Sequence, residues 1–340
     1  MNSKSIYILA IESSCDDTSA SVFLNNQKLS NVIATQKVHE SYGGVVPELA
    51  SRAHQQNIVP VVDQALEQAN VAREDLSAIA FTKGPGLMGS LLVGSSFAKS
   101  MAMALDIPLI EVHHMQAHIL AHFIDDNDKK PPKFPFLALT ISGGHTQIVK
   151  VNDFFDMEII GKTLDDAVGE AYDKCGKMLG LGYPAGPLVD KLAQRGNPEK
   201  FIFSKPKVKG LDFSFSGLKT AVLYFLQKQK KQNPDFVQEN IEDICASFQH
   251  TVVNILMDKL KLAIAETSIK RVAIGGGVSA NSGIRNALKQ AESQLGWDSY
   301  IPKFEYCLDN AAMIAIVGYY KYLDEDFTDF STTSKARLQL

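Results

Sequence analysis

Short apolar runs separated by small or polar turns recur twice along this chain. The first reads Ile6-Tyr-Ile-Leu-Ala-Ile-Glu-Ser-Ser and is followed by Thr18-Ser-Ala-Ser-Val-Phe-Leu24. The second reads Phe136-Leu-Ala-Leu-Thr-Ile-Ser-Gly-Gly and is followed by His145-Thr-Gln-Ile-Val-Lys-Val151. A run of strand length, a tight turn and a β-branched run predict a hairpin at each place. Such turns leave strand-end N–H groups facing outward, where a phosphate can sit.

The pattern between and after the hairpins alternates strand and helix periods. A strand is predicted near 29–35, a helix over 47–69 with a kink at Pro60, a strand at 77–82 and a helix at 88–105. A strand at 108–112 and a helix at 114–123 follow. Helices are then predicted at 166–179, 187–194, 216–229 and 241–266, a strand with a glycine turn and helix start at 271–281, and a last helix at 309–322. The charged, proline-rich stretch Asp125-Asp-Asn-Asp-Lys-Lys-Pro-Pro-Lys133 is the natural linker. Restarting the hairpin after it implies duplication: two α/β domains of related topology with a cleft between them. The boundaries read as 1–130 for the first domain, 131–325 for a second domain with helical insertions, and 326–340 for a tail.

Composition narrows the class. At 340 residues, 45% hydrophobic and 21% charged, the chain has ample material for a core. Cys15, Cys175, Cys245 and Cys307 form no C-x-x-C pair, so a disulfide framework is not expected and a reducing compartment is. The N-terminus lacks a signal-peptide core, and no uninterrupted apolar stretch reaches membrane length, which points to a cytoplasmic protein. A net charge of −4 does not advertise nucleic acid, so an RNA partner would need a local basic surface. Lys205, Lys207 and Lys209, and the run from Lys228 to Lys231, are the candidates, against the alternative of a solvated loop and helix end.

Several constellations carry chemistry. His114 and His118 are four apart on a predicted helix, so both imidazoles share one face and suit one metal; simple capping or packing is the alternative. His122, four beyond His118, offers a rival pairing, and His113 flanks the set. A zinc protease of the H-E-x-x-H type needs Glu after the first histidine, and Met115 stands there. Thr140-Ile-Ser-Gly-Gly144 and Gly275-Gly-Gly-Val-Ser-Ala-Asn281 are glycine turns that let backbone approach a ligand, with Ser279 also suited to cap the next helix. Gly84-Pro-Gly-Leu-Met-Gly-Ser90 lacks the lysine of a phosphate loop and reads as a strand-to-helix turn. Asp166, Glu170 and Asp173 are spaced for one helical face, with Asp190 close by in the next helix. Glu12, Asp16 and Asp17 in the first hairpin turn suit a bound metal, a general base or plain solvation.

Eight segments in order resemble the TsaD family, the tRNA N6-adenosine threonylcarbamoyltransferases. They are Ile11-Glu-Ser-Ser-Cys-Asp-Asp-Thr18, Tyr42-Gly-Gly-Val-Val-Pro-Glu-Leu-Ala-Ser-Arg52, Thr82-Lys-Gly-Pro-Gly-Leu87 and His113-His-Met-Gln-Ala-His118. Ser142-Gly-Gly-His-Thr-Gln147, Leu211-Asp-Phe-Ser-Phe-Ser-Gly-Leu-Lys219, Gly275-Gly-Gly-Val-Ser-Ala-Asn281 and Asp309-Asn310 complete the set. Ala311 stands where many relatives carry glycine, with no consequence for the site.

The resemblance implies a two-domain actin-like, sugar-kinase-like fold. It implies one divalent metal per subunit, iron first and zinc second, on His114, His118 and Asp309. It implies substrate contacts from Thr140, Ile141, Ser142, Gly143, Gly144, Asp173, Gly186, Asp190 and Asn281. The implied reaction moves a threonylcarbamoyl group from threonylcarbamoyl-AMP to N6 of the adenosine 3′ of the anticodon, in tRNAs reading codons that begin with adenine, and releases AMP. Glu12 is the expected proton relay. A separate synthase would supply the donor, and a TsaB-like actin-related subunit and a TsaE-like small ATPase would be partners. A metalloprotease and a non-catalytic ATP-binding scaffold are the competing readings.

Overall fold

The computed structural model describes residues 5–126 and 130–340. Residues 127–129 of the expected linker and 1–4 of the N-terminal segment lie outside the described residues.

The chain packs as two compact units. One comprises Met1–Pro132 together with Lys303–Leu340, and the other Lys133–Pro302. In the first, β1 (Tyr7–Glu12), β2 (Thr18–Leu24) and β3 (Gln27–Ala34) lead to α1 (Pro47–Ala69), β4 (Ala78–Gly84), α2 (Met88–Leu105), β5 (Leu109–His113) and α3 (His114–Leu120). The sheet order is β3-β2-β1-β4-β5. β1 is antiparallel to β2 and parallel to β4, which in turn is parallel to β5. Helix α1 runs unbroken through Pro60. One face of the sheet, with Leu9, Ile11 and Val22, packs on Ile58, Val62 and Leu66 of α1 and on Ala98 and Ala102 of α2. Both faces of β1 are buried, which is why it reads as a continuous apolar run rather than an alternating one.

The second unit repeats this plan. It contains β6 (Phe136–Ile141), β7 (Thr146–Val151), β8 (Met157–Lys162), α4 (Val168–Met178), α5 (Gly186–Ala193), α6 (Ser216–Gln232), α7 (Phe236–Thr267), β9 (Arg271–Gly275), α8 (Ser282–Leu295) and β10 (Asp298–Tyr300). Its sheet order, β10-β9-β6-β7-β8, mirrors the first. β6 is again antiparallel to its hairpin partner and parallel to the strand that follows the helices. The duplication expected from the two hairpins is thus present as topology. Leu137, Leu139, Ile141, Ile148, Val272 and Ile274 form the sheet side of a core closed by α4 to α8.

The final helix, α9 (Ala311–Leu323), corrects the expected boundaries. Residues 303–325 do not belong with the second domain, and 326–340 do not stand apart as a tail; both pack with the first 132 residues. The physical reason lies in α9 itself. Ala311 to Gly318 are all buried, so the helix is apolar all round and needs cover on every side. Its small residues permit a close fit: a Cβ on Gly318 would stand 2.7 Å from the Cβ of Ala80 on β4.

Helix α2 is long and apolar enough to cross a membrane, with a mean hydropathy of 1.2, which the uninterrupted-run criterion did not register. Leu91, Gly94, Ala98 and Ala102 are nonetheless buried against the unit's own core. All four cysteines are free.

Candidate metal centre

β5 passes directly into α3, so the chain turns from strand to helix at His113-His114. The His113 ring accepts the Met115 N–H at 3.1 Å and caps the helix. That cap sets the start of the turn on which His114 and His118 share a face. Their rings stand edge to face with centroids 4.7 Å apart. Asp309 arrives from the far end of the chain. Asn310 accepts the Met313 N–H and caps α9, which leaves the Asp309 side chain outside the helix and uncommitted to its cap. The Ala311 N–H donates to Ser19 Oγ at 2.9 Å and fixes this end of α9 against β2.

Asp309 Oδ1 lies 3.4 Å from His114 Nε2 and 3.3 Å from His118 Nε2. One ligand atom from each of the three residues falls within 4.8 Å of the others. His118 is 1% exposed, and neither of its ring nitrogens has a hydrogen bond. With Nε2 facing only the Asp309 carboxylate it shares with His114, and Nδ1 unbonded, this buried imidazole is short of the partners that would offset its desolvation. Two imidazole nitrogens and one carboxylate converging with open positions suit a divalent metal such as zinc or iron. Among the described residues, the group of three suited to a metal is His114, His118 and Asp309, without His122.

Glu12 explains the orientation of His114. Its carboxylate is fully buried and accepts the Ser14 N–H at 2.5 Å and the Thr82 hydroxyl at 2.6 Å. Its Oε2 lies 3.1 Å from His114 Nδ1. A proton on Nδ1 facing Glu12 leaves the Nε2 lone pair for a metal, the usual carboxylate–histidine–metal arrangement. Both Glu12 oxygens are engaged, which supports an orienting role over the expected proton relay.

The charges interlock. Burial alone would depress His114, but the Asp309 and Glu12 carboxylates outweigh it and hold this imidazole well above its ordinary value. Burial, aided by the His114 charge, depresses His118. Burial works against the Asp309 charge, yet His114 and His118 keep its carboxyl far below the usual range. In the hairpin turn, Asp17 is pushed up to about 7 by burial and then by Asp16 and Asp309. Burial also raises the Cys15 thiol, so it offers no thiolate to the centre.

The expected substrate residues all lie in the second unit. Gly143 and Gly144 are exposed, with open space where a Cβ would point. Ser142 closes the turn by accepting the His145 N–H, while Ile141 is wholly buried in the core and can offer only backbone. Thr140 Oγ1 is buried without a hydrogen bond, and so is Ser279 Oγ in the glycine turn after β9. Gly276, at φ +88°, must be glycine: a Cβ would meet the Ile141 carbonyl oxygen at 2.5 Å.

The other expected contacts form a network instead of projecting freely. Asp173 accepts the N–H groups of Ala185 and Gly186 and so holds the start of α5. Asp190 accepts from the Ser282 N–H, the Ser282 hydroxyl and Gln249 Nε2. Asn281, rather than Ser279, caps α8 by accepting the Ile284 N–H, and its Nδ2 donates to Gln249 Oε1 at 2.7 Å. Gln249 on α7 is thus the hub joining Asp190 and Asn281, a role the sequence reading missed. Its signal was a lone amide among the apolar residues Phe248, Val252 and Ile255 of a buried helix face.

The proposed acidic face does not form. α4 begins at Val168, after Asp166, and Lys174 bonds both Asp166 and Glu170. Of the basic candidates, Lys205 pairs with Asp258. Met115, where a zinc protease needs its glutamate, is buried at 2% exposure, so no carboxylate general base stands at that place.

The two α/β sheets of one plan mark an enzyme of actin-like architecture, and its first unit carries a His-His-Asp group that could hold a metal ion. A solved full-length HypF in a phosphate- and nucleotide-bound form shares the fold, with TM-score 0.63 and 16% identity over 96% of this chain and 48% of that one. The (R)-2-hydroxyglutaryl-CoA dehydratase component A of Acidaminococcus fermentans gives TM-score 0.54 and 17% identity over 94% of this chain and 100% of that one.

The TsaD family model, described as tRNA N6-adenosine threonylcarbamoyltransferase, matches residues 27–316, and the chain belongs to that family. It is 68% identical to the tRNA N6-adenosine threonylcarbamoyltransferase of Christiangramia forsetii over 99% of each chain. It is 62% identical to that of Riemerella anatipestifer, again over 99% of each.

Proposed function

We propose that this chain transfers the threonylcarbamoyl group of threonylcarbamoyl-AMP to N6 of the adenosine 3′ of the anticodon, in tRNAs reading codons that begin with adenine, with AMP as leaving group. The observation that carries the reading is the convergence of His114, His118 and Asp309 on one point, within a chain of this family.

An exocyclic adenine amine is a weak nucleophile because its lone pair is delocalised into the ring. The donor must therefore be activated and held in place. A divalent metal, iron or zinc, would bind His114, His118 and Asp309 and supply Lewis acidity toward a donor oxygen. Glu12, Ser14 and Thr82 hold the His114 ring so that Nε2 stays available. The turns at 142–144 and 275–277 offer backbone to the adenylate, with the unpaired hydroxyls of Thr140 and Ser279 as polar partners. Asp173 positions Gly186, and Gln249 fixes Asp190 and Asn281, so these residues hold the shape of that surface.

The partners we infer are tRNA, a synthase that supplies the adenylate, a TsaB-like actin-related subunit and a TsaE-like ATPase in a cytoplasmic setting. The test is reconstitution with synthase, both partners, ATP, threonine, bicarbonate and tRNA, followed by nucleoside analysis. Modified adenosine with the native chain and none with His114→Ala or His118→Ala is expected. Unmodified tRNA from the complete mixture overturns the reading.

A further inference from the structure

Residues 328–338 run back across the first unit beside the turn that supports Ser14. Glu111 on β5 grips this segment. Its Oε2 accepts the hydroxyls of Thr332 at 2.6 Å and Thr328 at 3.1 Å, while its Oε1 pairs with Lys83 at 2.6 Å. The Thr328 N–H donates to the Leu109 carbonyl, Lys99 donates to the Thr332 carbonyl, and the buried Ser334 hydroxyl meets Ser95 Oγ at 3.0 Å.

The segment then pairs backbone to backbone with the strand-to-helix turn. The Lys335 N–H donates to the Lys83 carbonyl at 2.9 Å, and the Gly86 N–H to the Ala336 carbonyl at 3.2 Å. The contact is so close that a Cβ on Gly84 would fall 2.0 Å from the Lys335 carbonyl oxygen. The other side of the same turn carries Ser14. The Leu87 N–H donates to the Ser14 carbonyl at 2.7 Å, and a Cβ on Gly86 would stand 2.5 Å from that oxygen. Ser14 in turn donates its N–H to Glu12, and its hydroxyl lies 3.3 Å from His114 Nδ1.

Backbone contacts of this closeness leave little slack, because packed atoms transmit displacement. The Gly84-Pro-Gly86 turn is held between the strap and Ser14, and Ser14 and Glu12 together orient His114. The strap has a second hold on the same histidine through Glu111, three residues before it on β5. We propose that residues 328–338 are a positioning strap for the His114 side of the metal centre, acting through the Gly84–Gly86 turn and Ser14. This rests on the metal-site reading only for its effect on metal affinity.

The test compares the full chain with one stopped after Phe327, which keeps Asp309 and α9. Amide exchange is followed in peptides covering 12–15 and 84–88, and Co2+ is titrated while its absorption spectrum is recorded. Loss of the strap is expected to speed exchange at both peptides at least tenfold. It should weaken Co2+ binding about tenfold to a hundredfold, the range for groups that orient a metal ligand, with a changed spectrum. A synthetic peptide of residues 328–340 added in trans should restore both.

A shortened chain that folds, yet keeps native exchange at those peptides, overturns the proposal. Should the shortened chain not fold, Thr332→Val in the full chain reads the same two quantities. Its effect is expected to vanish in Thr332→Ser, which keeps the hydroxyl, and equal values for Thr332→Val and the native chain count against the strap. A full chain that binds no Co2+ removes the metal-site reading, and the exchange measurement alone then decides the strap.

Discussion

Glu12 Oε2 and His114 Nδ1 meet at 3.1 Å although 102 positions separate them in the chain. Glu12 is otherwise saturated by Ser14 and Thr82, so its one outward action is on the histidine ring. Glu12→Gln keeps the shape and removes the charge. Metal affinity is expected to fall about tenfold to a hundredfold, measured by competition with a chromogenic chelator. Native affinity combined with collapsed turnover would instead return Glu12 to the relay role.

Metal binding should weaken as pH falls. In the metal-free protein, the raised His114 value means its imidazolium contributes stability that is fully present below the ordinary imidazole pKa of about 6.5 and is lost as pH rises through the raised value. A metal at Nε2 must displace that proton, so affinity climbs with pH until the raised value is passed, and below it one proton is released on binding. Calorimetry in buffers of different ionisation enthalpy counts that proton. A pH-independent affinity would show that His114 is not a ligand.

Gln249→Leu should damage the second unit twice. It leaves Asn281 Nδ2 without its shorter partner, and Asp190 loses one donor, a cost of about 1–3 kcal/mol in urea denaturation. AMP binding should weaken as well, because the turn after β9 loses its anchor through Asn281. Gln249→Glu should also be poor, since it sets a carboxylate against Asp190. An undisturbed AMP affinity in both variants would confine Gln249 to stability.

Gly276→Ala combines a positive φ with a backbone oxygen 2.5 Å from the new methyl. The expected loss is about 1–3 kcal/mol. Thermal unfolding of this variant beside Gly143→Ala, where the same methyl meets open space, separates strain from the loss of glycine as such.

Asn310→Ala removes the cap that starts α9 and should cost about 1 kcal/mol. It should also lower metal affinity, since Asp309 is the next residue and its direction depends on where the helix begins. Asn310→Asp, which can still cap, should retain most of the stability. Equal metal affinity in all three chains would detach the ligand from the helix start.

How much of this was legible in the sequence follows from the range of each signal. Helix α2 was predicted at its observed bounds, because the Gly84-Pro-Gly turn precedes it and Asp106 closes it with a positive φ. β8 and β10 went unrecognised: they are the edge strands of their sheet, one of mixed burial and one of three residues, and neither has a clean period. The pairing of His114 with His118 is a local helical spacing and was readable. Asp309 was reachable only through resemblance, since no periodicity links it to α3 across nearly 200 residues. Neither Glu12 as the partner of His114 nor Gln249 as a hub was visible, because each depends on which strands and helices lie side by side.

The return of residues 303–340 to the first unit orders events on the ribosome. That unit cannot finish its core when its first 132 residues emerge, since α9, which covers one face of the sheet, has not yet been made. The intervening 133–302 must be translated first, roughly 10 to 30 s of synthesis, and they hold a core of their own that can close meanwhile. The later-numbered body therefore matures before the earlier one. Asp309 joins His114 and His118 only with that last segment, so the three-residue group is completed among the final steps of biogenesis.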